Sequence, residues 1–204
     1  MGNQYSMRLI TESDAEDVLN IYSYYVLETI ISFEYLAPSQ EDFLHRIKTI
    51  SAQYPWLVFL SGNKIIGYAY ASSHRQRTAY QWSCESTVYL LPEFHRKGIA
   101  RLLYQALFSL LRLQGYFNVY AGVTLPNKKS VGFHRSFGFR GVGVYKGIGY
   151  KFGEWHDVQW FQFELQQHIY NPASPRSIQS IINSKEFNNV FVIANEFLKN
   201  INTE

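Results

Sequence analysis

A strand, a turn carrying three cations and an amphipathic helix follow one another between Cys84 and Gly115. The rest of the chain has to be arranged around that unit. Residues 86–91 are β-branched and aromatic, and Pro92 closes the run. From Ile99 the apolar positions are Ile99, Leu102, Leu103, Ala106, Leu107, Leu110 and Leu111. That is the i, i+3, i+4, i+7 spacing of a helix with one buried face, and Gly115 offers a left-handed stop. Arg96, Lys97 and Arg101 gather at the N-terminal end of this helix, where the macrodipole already places positive partial charge. Cations collected there are unfavourable unless an anion sits among them. Gly98 removes a side chain where amide N–H groups are free. The junction therefore reads as an anion site, most simply for a phosphate or pyrophosphate. A solvated basic turn, partly balanced by Glu93, is the alternative reading.

The flanking segments supply a sheet and further helices. Residues 5–10 alternate as a strand, and Ser13-Asp14-Ala15-Glu16 reads as a capping box opening a helix to about Leu27. Val18, Leu19, Tyr22, Tyr25 and Val26 share one of its faces. Residues 39–42 cap a second helix that runs to about Gln53, and 56–61 with 64–73 form a hairpin around Gly62-Asn63. Residues 117–124 are a short buried strand, and Asn127 or Ser130 can cap a short helix ending at Gly138. Residues 139–150 and 158–165 read as strands joined by a turn-rich connection, 151–157. Beyond the Asn171–Pro175 linker, residues 177–201 read as one or two modest helices. The order predicts an α/β (α+β) layer fold around one sheet, with a domain over 1–168 and a linker plus helical C-terminal extension over 169–204.

Within the central strand Glu85, Thr87 and Tyr89 share a face by period-2 alternation. A carboxylate at the start of a mostly apolar strand is either solvated at a strand end or functional. Six histidines show no metal-ligand spacing and the one cysteine adds none, so no catalytic metal is expected. That single cysteine also excludes an internal disulfide and points to a reducing cytoplasm. There is no apolar run of about 18 residues to cross a membrane. The first seven residues lack the order of a secretion signal, and their loose match to a myristoylation pattern is discounted because strand-like sequence begins at once. A net charge of +3 is too small to argue for nucleic acid.

The turn His95-Arg96-Lys97-Gly98-Ile99-Ala100 resembles the Q/R-x-x-G-x-G/A pyrophosphate turn of the GNAT N-acetyltransferases, with His95 where that pattern has Gln or Arg. Residues 25–33 (Y-V-L-E-T-I-I-S-F), 79–89 (A-Y-Q-W-S-C-E-S-T-V-Y), 125–127, 130–139 (S-V-G-F-H-R-S-F-G-F) and 149–158 (G-Y-K-F-G-E-W-H-D-V) are similar to the phosphinothricin and methionine sulfoximine N-acetyltransferase branch. The likeness covers about residues 7–166. It implies a central mixed, mostly antiparallel sheet of about seven strands, and acetyl-CoA as acetyl donor. It implies that Val88, Tyr89 and Leu90 meet the pantetheine arm between two parted strands. Arg96, Lys97, Gly98, Ile99, Ala100 and Arg101 would hold the pyrophosphate, and Asn127 and Ser136 would add contacts. Glu85 would be the general base and His134 a catalytic group on the sulfur side, with direct attack of the amine and no acyl-enzyme at Cys84.

The acceptor is expected to be a small amino acid such as phosphinothricin, methionine sulfoximine or methionine sulfone. Arg75, Arg77, Tyr80 and Trp82, just upstream of Glu85, suit a carboxylate or phosphinate with ring walls; Phe33, Glu34, Lys151, Trp155 and His156 are further candidates for this site. A homodimer follows from the resemblance, with no nucleic-acid or membrane partner. The alternatives are a different acceptor amine (a polyamine, an aminoglycoside or a protein N-terminus) and a CoA-binding module without turnover.

Overall fold

In a computed structural model describing residues 5–201, the unit between Cys84 and Gly115 becomes the middle of a seven-stranded sheet. In chain order the elements are β1 (Tyr5–Leu9), α1 (Ala15–Glu28), α2 (Gln40–Ser51), β2 (Trp56–Ser61), β3 (Lys64–Ser73), β4 (Ser83–Leu90), α3 (Ile99–Gln114), β5 (Asn118–Thr124), α4 (Lys128–Phe137), β6 (Arg140–Lys151), β7 (Glu154–Glu164), α5 (Ile178–Ile181) and α6 (Lys185–Ile201). Spatial order is β1-β2-β3-β4-β5-β7-β6. Every pairing is antiparallel except β4 with β5, where α3 supplies the crossover that a parallel pair needs. The mixed, mostly antiparallel α/β sheet expected from the sequence is the sheet observed.

Each face of the sheet has its own core. Trp56, Val58 and Tyr68 pack under α1 and α2, where Val18, Tyr22, Tyr25, Phe43 and Ile47 are buried. Cys84, Val119, Ala121 and Phe161 pack under the buried stripe of α3. Ile178, Ile181, Phe187 and Leu198, all from the expected extension, belong to this second core. Its connection is pinned as well, because Gln114 Nε2 donates to the carbonyls of Gln53 and Arg176, each at 2.7 Å.

Three local expectations change. The first helix is capped by Thr11 and Asp14, not Ser13 and Glu16: Asp14 Oδ2 accepts from Thr11 N at 2.7 Å and from Thr11 Oγ1 at 2.9 Å. Arg8 pairs with the same carboxylate at 2.6 Å and fixes it over that end. The central strand begins at Ser83, because its first residues pair with β3 and β5 despite their small polar side chains. The connection 151–157 shrinks to Phe152-Gly153, with φ of 51° and 83°. Two positive φ values match the twist of a tight hairpin. Asp157 looked like a turn residue but fills a bulge in β6, accepting from Gly147 N at 2.9 Å and Lys146 Nζ at 2.7 Å.

Candidate active site

The chemistry starts where β4 and β5 part. They pair only at Ser83, Cys84 and Glu85, so residues 86–90 have no β5 partner. Leu91 N bonds Ile66 O on β3, and alternation along an antiparallel ladder then turns the backbones of Val88 and Leu90 toward the gap. The Leu90 carbonyl is taken: the Tyr25 hydroxyl donates to it, and His95 Nε2 lies 3.2 Å away. His95 Nε2 is also 2.9 Å from the Tyr25 hydroxyl. In place of Gln or Arg, this ring ties the cationic turn to the end of β4.

The gap opens into a cleft of ≈ 470 Å³. Val88, Tyr89, Leu90, Arg96, Gly98, Ile99, Ala100, Arg101, Asn127 and Ser136 line it, together with Tyr25, His95 and Phe133. Lys97 is the one member of the expected cofactor set outside this lining, and its ammonium sits 4.7 Å from the Phe94 ring centre. Arg96 and Gly98 both adopt left-handed backbone, with φ of 64° and 79°. Such turns aim successive amides into one concavity that suits an anion, and a Cβ built at Gly98 would meet nothing within 4 Å. Arg101 closes the far wall by donating to Ser136 O and Oγ, each at 3.1 Å. Asn127 caps α4 through Oδ1 and Ser130 N at 3.0 Å. Free strand amides leading to an amide-lined cationic pocket fit a ligand with an amide-bearing arm and a diphosphate.

Glu85 and His134 stand on opposite faces of the sheet. Glu85 shares its face with Thr87 and Tyr89, opposite Ser72, Tyr70 and Tyr68 of β3, which is the side covered by α1 and α2. It occupies the last paired position before the strands part, and its Oε1 lies 2.9 Å from His74 Nδ1. His134 lies on the α3 side, 5 % exposed and stacked on Phe161 at 5.6 Å. Its Nδ1 meets Ser130 O at 2.8 Å, and the contact requires a hydrogen on Nδ1. Burial holds the ring below the usual histidine range, so Nε2 remains an acceptor at neutral pH. The Tyr104 hydroxyl lies 3.5 Å from Nε2, and Ser86 Oγ donates to that hydroxyl at 3.2 Å. Ser86, on β4, carries this chain of polar groups to the edge of the gap.

The expected acceptor-site residues divide into two groups. Arg75, Arg77 and Tyr80 are exposed on the loop between β3 and β4, close in sequence to His74. Trp82 points elsewhere, donating from Nε1 to Ala173 O at 2.9 Å. Most of the second group is held against α1 and α2. Phe33 faces His156 at 6.3 Å, and Glu34 pairs with Arg46 at 2.6 Å. Lys151 is 1 % exposed, and its ammonium donates to Val26 O and Ser32 O, each at 2.6 Å. Trp155 is exposed, 5.3 Å from the Tyr150 ring. The sequence reading missed His74, Ser86 and Tyr104. Tyr104 carried a faint signal as the one hydroxyl on the buried face of α3; His74, eleven residues from Glu85, carried none. Among the described residues no group of three or more His, Cys, Asp or Glu could hold a metal ion.

Residues 7–160 match the Acetyltransferase (GNAT) domain family. The chain is similar to a phosphinothricin N-acetyltransferase of Streptomyces viridochromogenes, 33% identical over 177 residues, or 86% of this chain and 93% of that one. It is 28% identical over 167 residues to an L-methionine sulfoximine/L-methionine sulfone acetyltransferase of Salmonella typhimurium, covering 80% of this chain and 96% of that one. Among solved structures, a phosphinothricin acetyltransferase from Sinorhizobium meliloti in complex with AcCoA superposes with a TM-score of 0.79 at 32% identity, covering 83% of this chain and 94% of that one.

Proposed function

This chain belongs to the GNAT acetyltransferase family and is an acetyl-CoA-dependent N-acetyltransferase, and from that premise we propose that its acceptor is the α-amine of a small amino acid such as phosphinothricin, methionine sulfoximine or methionine sulfone. One observation carries the reading. β4 and β5 part immediately after Glu85, leaving strand backbone that leads from a carboxylate to a cationic, amide-lined helix start. Val88 and Leu90 would hold the pantetheine amides, and the turn from Arg96 to Arg101 the pyrophosphate. Acetyl-CoA supplies the acetyl thioester.

The chain's own groups divide the proton traffic between the two faces of the sheet. Glu85 is the base, taking a proton from the acceptor's ammonium on the α1 side. On the α3 side the Ser86 hydroxyl, turned from Tyr104, can donate a hydrogen bond to the departing thiolate, which takes its proton from water; His134, neutral and accepting at Nε2, holds the Tyr104 hydroxyl in place. Arg75 and Arg77, exposed and forked, suit the acceptor's carboxylate or phosphinate. Cys84 takes no part: it is fully buried, and burial pushes its thiol far above the usual range.

A cytoplasmic site of action accords with that lone buried thiol. Among the described residues no helix is long and apolar enough to cross a membrane. A homodimer belongs to the same reading. β6 is an edge strand of 12 residues with Val142, Tyr145, Ile148 and Tyr150 exposed, the kind of edge that a second chain covers.

Thiol release from acetyl-CoA in the presence of phosphinothricin or methionine sulfoximine tests the proposal. Turnover is expected, and Glu85→Gln should lower kcat by roughly 10²–10⁴-fold, the usual worth of a general base. Turnover with a polyamine but with neither amino acid would overturn the acceptor assignment. An unimpaired Glu85→Gln would overturn the base.

A further inference from the structure

We propose that His74 is a positioning residue for Glu85, fixing which carboxylate oxygen faces the acceptor amine; this rests on Glu85 being the base. His74 follows the last residue of β3, and its Nδ1 lies 2.9 Å from Glu85 Oε1. The ring is held by two other strands. It lies nearly parallel to Tyr120 of β5, at 4.4 Å and 14°, and meets Trp160 of β7 edge-on at 5.9 Å and 72°. The His74 side chain is 14% exposed against 32% for Glu85, so the imidazole sits behind the carboxylate.

The chemistry follows from the donor inventory. An ionised carboxylate only accepts, so Nδ1 carries the hydrogen and donates to Oε1. Turning the ring over would set carbon against the carboxylate and lose the bond, so Glu85 and the aromatic stack together choose the ring's orientation. With Oε1 engaged, Oε2 keeps its lone pairs for the acceptor. The ammonium N–H bond breaks toward Oε2, its electron pair stays on nitrogen, and Glu85 becomes a neutral acid that later returns the proton to water. A partly exposed glutamate otherwise samples several rotamers. Fixing it beforehand removes an ordering cost from the reaction step.

His74→Phe keeps the stack on Tyr120 and removes the hydrogen bond, whereas His74→Asn can place an amide hydrogen near the Nδ1 position. With acetyl-CoA and methionine sulfoximine, His74→Phe should lower kcat roughly ten- to a hundred-fold, the scale of a misplaced catalytic group, with KM for acetyl-CoA unchanged. His74→Asn should recover most of that loss, and His74→Phe should cost nothing further in a Glu85→Gln background. Should Phe at this position unfold the chain, as read by circular dichroism, His74→Leu serves as the second removal variant. Wild-type kcat in the removal variant overturns the proposal, as does a full additional loss in the Glu85→Gln background. So does an Asn variant no better than Phe. A fully active Glu85→Gln removes the base and this proposal together, while an impaired Glu85→Gln beside an unaffected His74→Phe removes only the role of His74.

Discussion

His134 shows how one side chain couples site chemistry to stability. It is buried beside Tyr104, Phe139 and Phe161, and desolvation disfavours its charged form. Between the ordinary histidine value of about 6.5 and the lower native value, the unfolded chain binds the proton and the folded one does not. Stability from this residue is therefore complete above about pH 6.5 and is lost as pH falls from there toward the native value. The Tm of the wild type should fall over that interval more steeply than the Tm of His134→Gln, which cannot titrate. Parallel melting curves from pH 7.5 to 5 check the difference, and identical slopes would refute it. The motif around position 134 marked this histidine in the sequence, but its protonation follows from rings contributed by α3, by β7 and by Phe139 just before β6.

At the scale of the element, the start of α3 depends on backbone conformation more than on side-chain volume. Gly98 has φ of 79° and open space around it. Alanine would fit sterically yet disfavour the left-handed turn by about 1 kcal/mol. Gly98→Ala is expected to raise KM for acetyl-CoA several-fold with little change in kcat, and Gly98→Asn to raise it less, because asparagine tolerates this conformation. Steady-state kinetics on the two variants decide. The β6–β7 hairpin depends on a side chain. Lys151 reaches back to the end of α1, and Lys151→Met would leave two buried carbonyls without donors. Such orphans cost about 1–3 kcal/mol each, so a loss of about 3 kcal/mol is expected in denaturant unfolding. The sequence offered Lys151 as an acceptor contact; its ammonium instead holds two elements together across 125 and 119 positions of chain.

At the scale of the whole molecule, the C-terminal helices are packed into the core beneath α3. Ile178 and Ile181 are each 1 % exposed. Ile178→Ala should cost about 2–4 kcal/mol, the usual range for a buried isoleucine truncation, while KM for acetyl-CoA stays constant because the cleft lies at the other end of α3. Chemical denaturation and kinetics on one preparation test both halves of that statement. Element identity, the helix stops and the cationic turn were legible without coordinates, since period, capping and glycine conformation act between residues a few positions apart. So were most of the residues that line the cleft, because they sit in contiguous motifs. The partings and meetings were not: that β4 leaves β5 after Glu85, that His74 meets Glu85 eleven positions on, or that Tyr104 meets His134 thirty positions on. Those depend on how seven strands and their covering helices settle against one another, and no local pattern records an energy shared between distant residues.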